Sequence, residues 1–150
     1  MSKINIIYST IGGNTELVVQ KIIELLPEDI MVKSIRVDIA TLDDINNCDL
    51  IILACPTYGQ GTLESHFPPF LKLIQTQIEN KKFAVVGLGD TKYYPEYLTE
   101  SGAILEEWVK VNKGELVVPA LRIGMPPLKF IDKLVPRWVI KIVEHLNTKE

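Results

Sequence analysis

Ile4-Asn5-Ile6-Ile7-Tyr8-Ser9-Thr10-Ile11-Gly12-Gly13-Asn14-Thr15-Glu16 decides how this chain folds. The stretch starts as a short, dense, β-branched run, breaks at a glycine pair, and continues with apolar residues at 18, 22 and 25. A run of that density suits a strand covered on both faces, as central strands of a parallel sheet are. The later spacing is helical and predicts a helix from Asn14 to Leu26. A buried strand that feeds a helix through a tight turn is the opening unit of an α/β fold.

The rest of the chain repeats the unit. Leu50 to Cys55 and Phe83 to Leu88 are further buried strands, while Met31 to Val37 mixes Lys33, Ser34 and Arg36 with apolar residues and reads as an edge. Leu116 to Ile123 is the other edge, because Pro119 cannot donate a ladder hydrogen bond. Helical patterns cover Phe67 to Ile78, Tyr97 to Val111 and a terminal segment ending at Leu146, with Pro136 expected in the first turn of the last. The expected fold is one α/β domain over residues 1–150, a doubly wound five-stranded parallel sheet of strand order 2-1-3-4-5 with helices on both faces. In that order the chain leaves the first and third strands in opposite directions, and ligands of such sheets bind in the crevice that opens there.

Composition narrows the function. A chain of 150 residues with 47% hydrophobic content has material for one core, and its net charge of −3 with scattered basic residues leaves out the footprint of a nucleic-acid binder. Cys48 and Cys55 make neither a disulfide framework nor a metal-ligand spacing, which points to the cytoplasm. No apolar run has the length of a bilayer, and MSKINIIYST lacks a basic leader and a cleavage site, so neither a membrane nor an export role is expected.

Three loops surround the expected crevice. The first, Tyr8 to Glu16, suits an anion: Gly12 and Gly13 free the backbone N–H groups, Thr10, Asn14 and Thr15 offer polar hydrogens, and a helix N-terminus adds partial positive charge. It has neither the Lys-Ser/Thr of a Walker loop nor the G-x-G-x-x-G of a dinucleotide site, so a single terminal phosphate fits it best. The simpler alternative is a helix cap made by Asn14 or Thr15. The second loop, Pro56 to Glu64, and the third, Gly89 to Tyr97, are long and carry tyrosines, so that a flat ring fits between Tyr58 and Tyr93. Otherwise the tyrosines merely roof the sheet.

Together YSTIGGNTE (8–16), PTYGQG (56–61) and GLGDTKYY (87–94) resemble, in order and spacing, the phosphate loop and the two flavin-flanking loops of flavodoxins. ALRIGMPP (120–127) is similar to the family's last strand, and the absence of a long insertion in it resembles the short-chain class. The resemblance implies a low-potential one-electron carrier with bound FMN, cycling between oxidised, neutral semiquinone and hydroquinone states, and not an enzyme. It implies that Thr10, Ile11, Gly12, Gly13, Asn14 and Thr15 surround the phosphate. On one side of the ring it implies Pro56, Thr57, Tyr58, Gly59, Gln60 and Gly61, and on the other Leu88, Gly89, Asp90, Tyr93 and Tyr97. Ile11 and Gly12 depart from the family, which usually carries small polar or hydroxyl residues there. Lys92 among Asp90, Glu64 and Glu96 raises the expected hydroquinone potential above that of a strongly acidic flavodoxin.

The implied partners are a reductase-type donor and an acceptor enzyme, met by a monomer through Gln60, Glu64 and Glu96 at the flavin rim. A dedicated activator resembling the ribonucleotide-reductase flavodoxins, and an NAD(P)H quinone reductase, are the alternatives. No catalytic residue and no metal ligand is read from the chain. Trp108 and Trp138 are expected in the core, Cys55 as a small hydrophobe, and Cys48 as an unactivated thiol. His66 is expected at a helix start and His145 in the last turn of the final helix, both without a catalytic partner. Glu106, Glu107 and Lys110 read as a solvated helix face.

Overall fold

The computed structural model describes residues 2–10, 12–58, 62–89, 101–124 and 130–148. In chain order the elements are β1 (Lys3–Tyr8), α1 (Asn14–Leu25), β2 (Met31–Arg36), α2 (Asp43–Asn46), β3 (Leu50–Tyr58), β4 (Thr62–Leu63), α3 (Phe67–Ile74), β5 (Lys82–Leu88), α4 (Ser101–Val111), β6 (Glu115–Leu116), β7 (Leu121–Ile123) and α5 (Ile131–Thr148). The sheet order is β2-β1-β3-β5-β6, with β7 also on β5 and the short β4 on β3. All pairings are parallel except β3 with β4. Counted as β1, β2, β3, β5 and the β6–β7 pair, the strands stand in the expected order 2-1-3-4-5.

Strand side chains alternate between faces, and both faces are covered. Ile4, Ile6, Ile52 and Val86 pack under α1 and α5 with Val18, Ile22, Val135 and Ile142. Ile7, Ile51, Leu53 and Val85 pack under α3 and α4 with Phe67, Phe70, Leu105 and Val109. Asn5 shares this second face and is fully buried; its amide donates to the Asp44 carbonyl at 2.6 Å and to Asn47 Oδ1 at 3.1 Å, tying α2 to the central strand.

The fifth strand is split. Val117 N–H still bonds to the Phe83 carbonyl, but the Ala120 N–H turns to Glu106 Oε2 at 2.9 Å, and Trp138 Nε1 donates to the Pro119 carbonyl at 3.0 Å. Glu106 therefore holds the strand gap and is not part of a solvated face. Trp138 is buried as expected, and Trp108 sets its half-buried ring edge-on to Phe83, centroids 5.9 Å apart. The last helix differs too: the Phe130 carbonyl accepts from both Lys133 and Leu134, so α5 is under way before Pro136, which lies in its second turn. α3 stops at Ile74, four residues short of the expected end, although Ile78 stays in the core.

Candidate functional site

Gly12 and Gly13 take φ of 64° and 82°, a left-handed region that favours glycine, and so turn the chain from β1 into α1. Gly13 is the N-cap, and no side chain caps the helix. The alternative in which Asn14 or Thr15 closes the helix is thus not adopted. Instead the hydroxyls of Thr10 and Thr15 are enclosed and have no partner among the described residues. A buried hydroxyl left unpaired costs about 1–3 kcal/mol. Two such groups beside uncapped N–H groups form a donor set that one phosphate, with its three acceptor oxygens, fits.

The other predicted residues arrive on neighbouring strand ends. Ser9 N–H bonds to the Ala54 carbonyl at 3.1 Å, and Pro56 of β3 stands in register with Leu88 of β5. Gly89 follows with φ 78°, its N–H donating to Ile123 at 2.8 Å. Pro56, Thr57 and Tyr58 belong to β3 rather than to a loop, because Thr62 and Leu63 return alongside and pair with Tyr58 and Thr57. Tyr58, at the hairpin's end, is 41% exposed. Ile11, Gly59, Gln60, Gly61, Asp90, Lys92, Tyr93, Tyr94, Glu96 and Tyr97 lie outside the described residues.

Ser101, the first residue of α4, was not legible as a site residue. Its hydroxyl donates to the Cys55 carbonyl and accepts from Thr57 Oγ1, both at 2.9 Å, while its N–H donates to Thr57 Oγ1 at 3.2 Å. This buried ring ties the strand carrying Tyr58 to the start of α4. Ser101→Ala is expected to cost about 1–3 kcal/mol of stability by removing the two hydrogen bonds of its hydroxyl, as urea unfolding would measure.

Glu64 corrects two expectations. It is no exposed rim acid, being only 5% exposed, and it gives His66 a partner. Its Oε2 lies 2.7 Å from His66 Nδ1 and accepts from Ser65 Oγ at 3.2 Å; Oε1 accepts the His66 N–H at 3.0 Å; and its own N–H reaches Cys55 Sγ at 3.4 Å. Burial pushes the Glu64 carboxyl up, but the hydrogen bonds and charge of His66, with the Ser65 hydroxyl, outweigh it and hold the group below its ordinary value. The carboxylate's contribution to stability is therefore present above the ordinary carboxylate range and lost as pH falls through the lowered value. Melting wild type and Glu64→Gln side by side should show a gap that is widest near neutrality and closes in acid. Burial pushes the Cys48 thiol up, in keeping with an unactivated cysteine.

Glu64, His66 and Tyr58 share a cleft of about 440 Å³ with Tyr8, Ser9, Thr10, Glu16, Arg36, Val37 and Asp38, at the carboxyl ends of β1, β2 and β3. The cleft holds a cation that the loop itself lacks, but Arg36 is paired with Asp38 at 2.8 Å.

The sequence profile of the flavodoxin family matches residues 6–134. This chain belongs to the flavodoxin family. A flavodoxin of Synechocystis sp. is 31% identical over 118 residues, covering 78% of this chain and 69% of its own length. The solved structure of oxidised flavodoxin 1 from Bacillus cereus superposes with a TM-score of 0.83 at 26% identity, over 96% of this chain and 99% of that one. A Fusobacterium nucleatum flavodoxin, solved bound to flavin mononucleotide, shares the fold with a TM-score of 0.80 at 22% identity, over 96% and 98%. The flavodoxin nest of this chain combines left-handed glycines, an uncapped helix and enclosed hydroxyls. Among the described residues no group of His, Cys, Asp or Glu is arranged to hold a metal ion, and no helix is long and apolar enough to cross a membrane.

Proposed function

We propose that this flavodoxin holds one FMN across the carboxyl ends of β1, β3 and β5, and carries single electrons from a reductase-type donor to an acceptor enzyme. The coarse part follows from family membership: flavodoxins are FMN-bearing electron-transfer proteins and not enzymes, and so is this chain. The observation that carries the placement is the pair of enclosed, unpartnered hydroxyls of Thr10 and Thr15 at an uncapped helix N-terminus. These two residues, with Ile11, Gly12, Gly13 and Asn14, surround the phosphate.

Pro56, Thr57, Tyr58, Gly59, Gln60 and Gly61 flank one side of the flavin ring, and Leu88, Gly89, Asp90, Tyr93 and Tyr97 the other. The bound flavin supplies the one-electron chemistry; the chain orients it, keeps water from its inner edge and tunes it by nearby charge. The half-exposed Tyr58 supports docking of redox partners at this rim.

Titrating the flavin-free protein with FMN tests the assignment. Stoichiometric quenching of flavin fluorescence, weakened in Thr10→Ala, supports it. A protein that leaves free FMN fluorescence unchanged overturns it.

A further inference from the structure

The acid that the sequence places at the flavin rim is buried and already has a partner, which changes what it can do. Glu64 is held by His66 through both the backbone N–H and Nδ1, and the His66 side chain is 61% exposed. An ionised carboxylate only accepts hydrogen bonds, so Nδ1 carries its hydrogen in either state of the ring, and the titrating proton enters and leaves at Nε2. The couple therefore alternates between a neutral ion pair and a net single negative charge. It adjoins the hairpin that ends in Tyr58: Glu64 follows β4 directly, its N–H is bonded to Cys55 of β3, and both members share the cleft with Tyr58.

We propose that the Glu64–His66 couple is a proton-linked redox site, at which His66 takes up a proton as the flavin beside Tyr58 becomes fully reduced. The step balances: one electron arrives from the redox partner, the reduced ring gains one negative charge, and one proton passes from solvent to His66 Nε2, so that the couple moves from net negative to neutral. The physical cause is repulsion between a reduced, anionic ring and an uncompensated Glu64, relieved when the imidazole is charged. By linkage, reduction raises the affinity of His66 for its proton, and the proton raises the potential.

Other charged or titratable groups face the same cleft. They are Glu16 of α1, Arg36 at the end of β2, Asp38 after it, Tyr8 of β1 and Tyr58 of β3. Arg36 and Asp38 neutralise each other at 2.8 Å. Of the side-chain types present, only imidazole ordinarily changes charge between about pH 5 and 8. Glu64 supports this as a positioning residue, since its four hydrogen-bond contacts hold the imidazole where its charge is felt.

The inference rests on the flavin assignment, and the experiment separates the two. His66 and His145 are the only histidines, so His66→Gln assigns the imidazole proton resonances of the FMN-loaded protein directly. Titrated from about pH 5 to 8, the His66 midpoint should move upward when the protein is fully reduced, while His145 stays put. In potentiometry, the difference between wild type and His66→Gln should change across the same range. Identical His66 midpoints in both redox states, or a pH-independent difference, overturn the proposal while leaving FMN binding intact. A wild-type protein that takes up no FMN overturns the flavin assignment instead. Glu64→Gln, which keeps the shape and removes the charge, should abolish the redox-linked shift; a shift that survives in that variant overturns the role of Glu64.

Discussion

Thr15→Val should leave the protein folded and remove most of its hold on FMN. Thr15 is fully buried in the first turn of α1, and its hydroxyl, like that of Thr10, has no partner among the described residues. Valine has nearly the same shape, so the packing survives. On the proposed placement of the phosphate the hydroxyl donates to a charged group, and such a hydrogen bond is worth about 1.5–3 kcal/mol. At about 1.4 kcal/mol per tenfold, FMN should bind roughly ten- to a hundredfold more weakly.

The flavin-free protein should respond in the opposite sense. Removing an unpaired buried hydroxyl relieves a penalty, so the variant should melt at or above the wild-type temperature. Fluorescence titration and a melting curve on the same preparation check both halves. Unchanged affinity, or a clear loss of stability without FMN, would mean that Thr15 serves the fold and not the phosphate.

Phe83→Ala should be the most damaging single change to the fold. Phe83 lies in β5 with no exposed surface, in register with Ile51 of β3 and Leu116 of β6, and receives Trp108 edge-on at 5.9 Å with the ring planes 82° apart. The surroundings cannot close over the gap easily. A Cβ built on Gly114 would already stand 3.3 Å from the ring and 2.9 Å from Val109, which shows how little slack this corner has. Phenylalanine-to-alanine changes in cores cost about 3–5 kcal/mol. Against a typical total of about 5–15 kcal/mol, that brings a small α/β protein close to unfolding. Urea unfolding gives the number, and near-ultraviolet circular dichroism reports the loss of the fixed environment of Trp108. A cost below about 1.5 kcal/mol would mean that the corner collapses after all.

Much of the fold was readable because local pattern and tertiary environment agree. Strands buried on both faces must be apolar or have their polar groups paired, and Ile4 to Tyr8, Leu50 to Cys55 and Phe83 to Leu88 are apolar apart from Asn5, whose amide is hydrogen-bonded to α2 and the residue after it; only their outer ends moved. The nest was equally legible, since a left-handed pair admits little besides Gly12 and Gly13. The misreadings occur where a residue's partner is distant in sequence or lies on the other arm of a turn. Pro56 to Tyr58 became strand because Thr62 and Leu63 come back to pair with it, and the fifth strand broke because Glu106 and Trp138 take the backbone groups of Ala120 and Pro119.

Alone, then, the sequence determined the parallel sheet, its order, the glycine turn into α1 and the family, all of which rest on runs of neighbouring residues whose types answer to one steric or hydrogen-bonding demand. Tertiary structure alone decided that Glu64 is buried, that His66 and Ser65 hold it, that Arg36 is paired beside the nest, and that Ser101 ties α4 to the strand of Tyr58. Burial and charge pairing are properties of what surrounds a side chain, and an acid two residues from a histidine reads the same in water as in a cleft until the sheet folds around it.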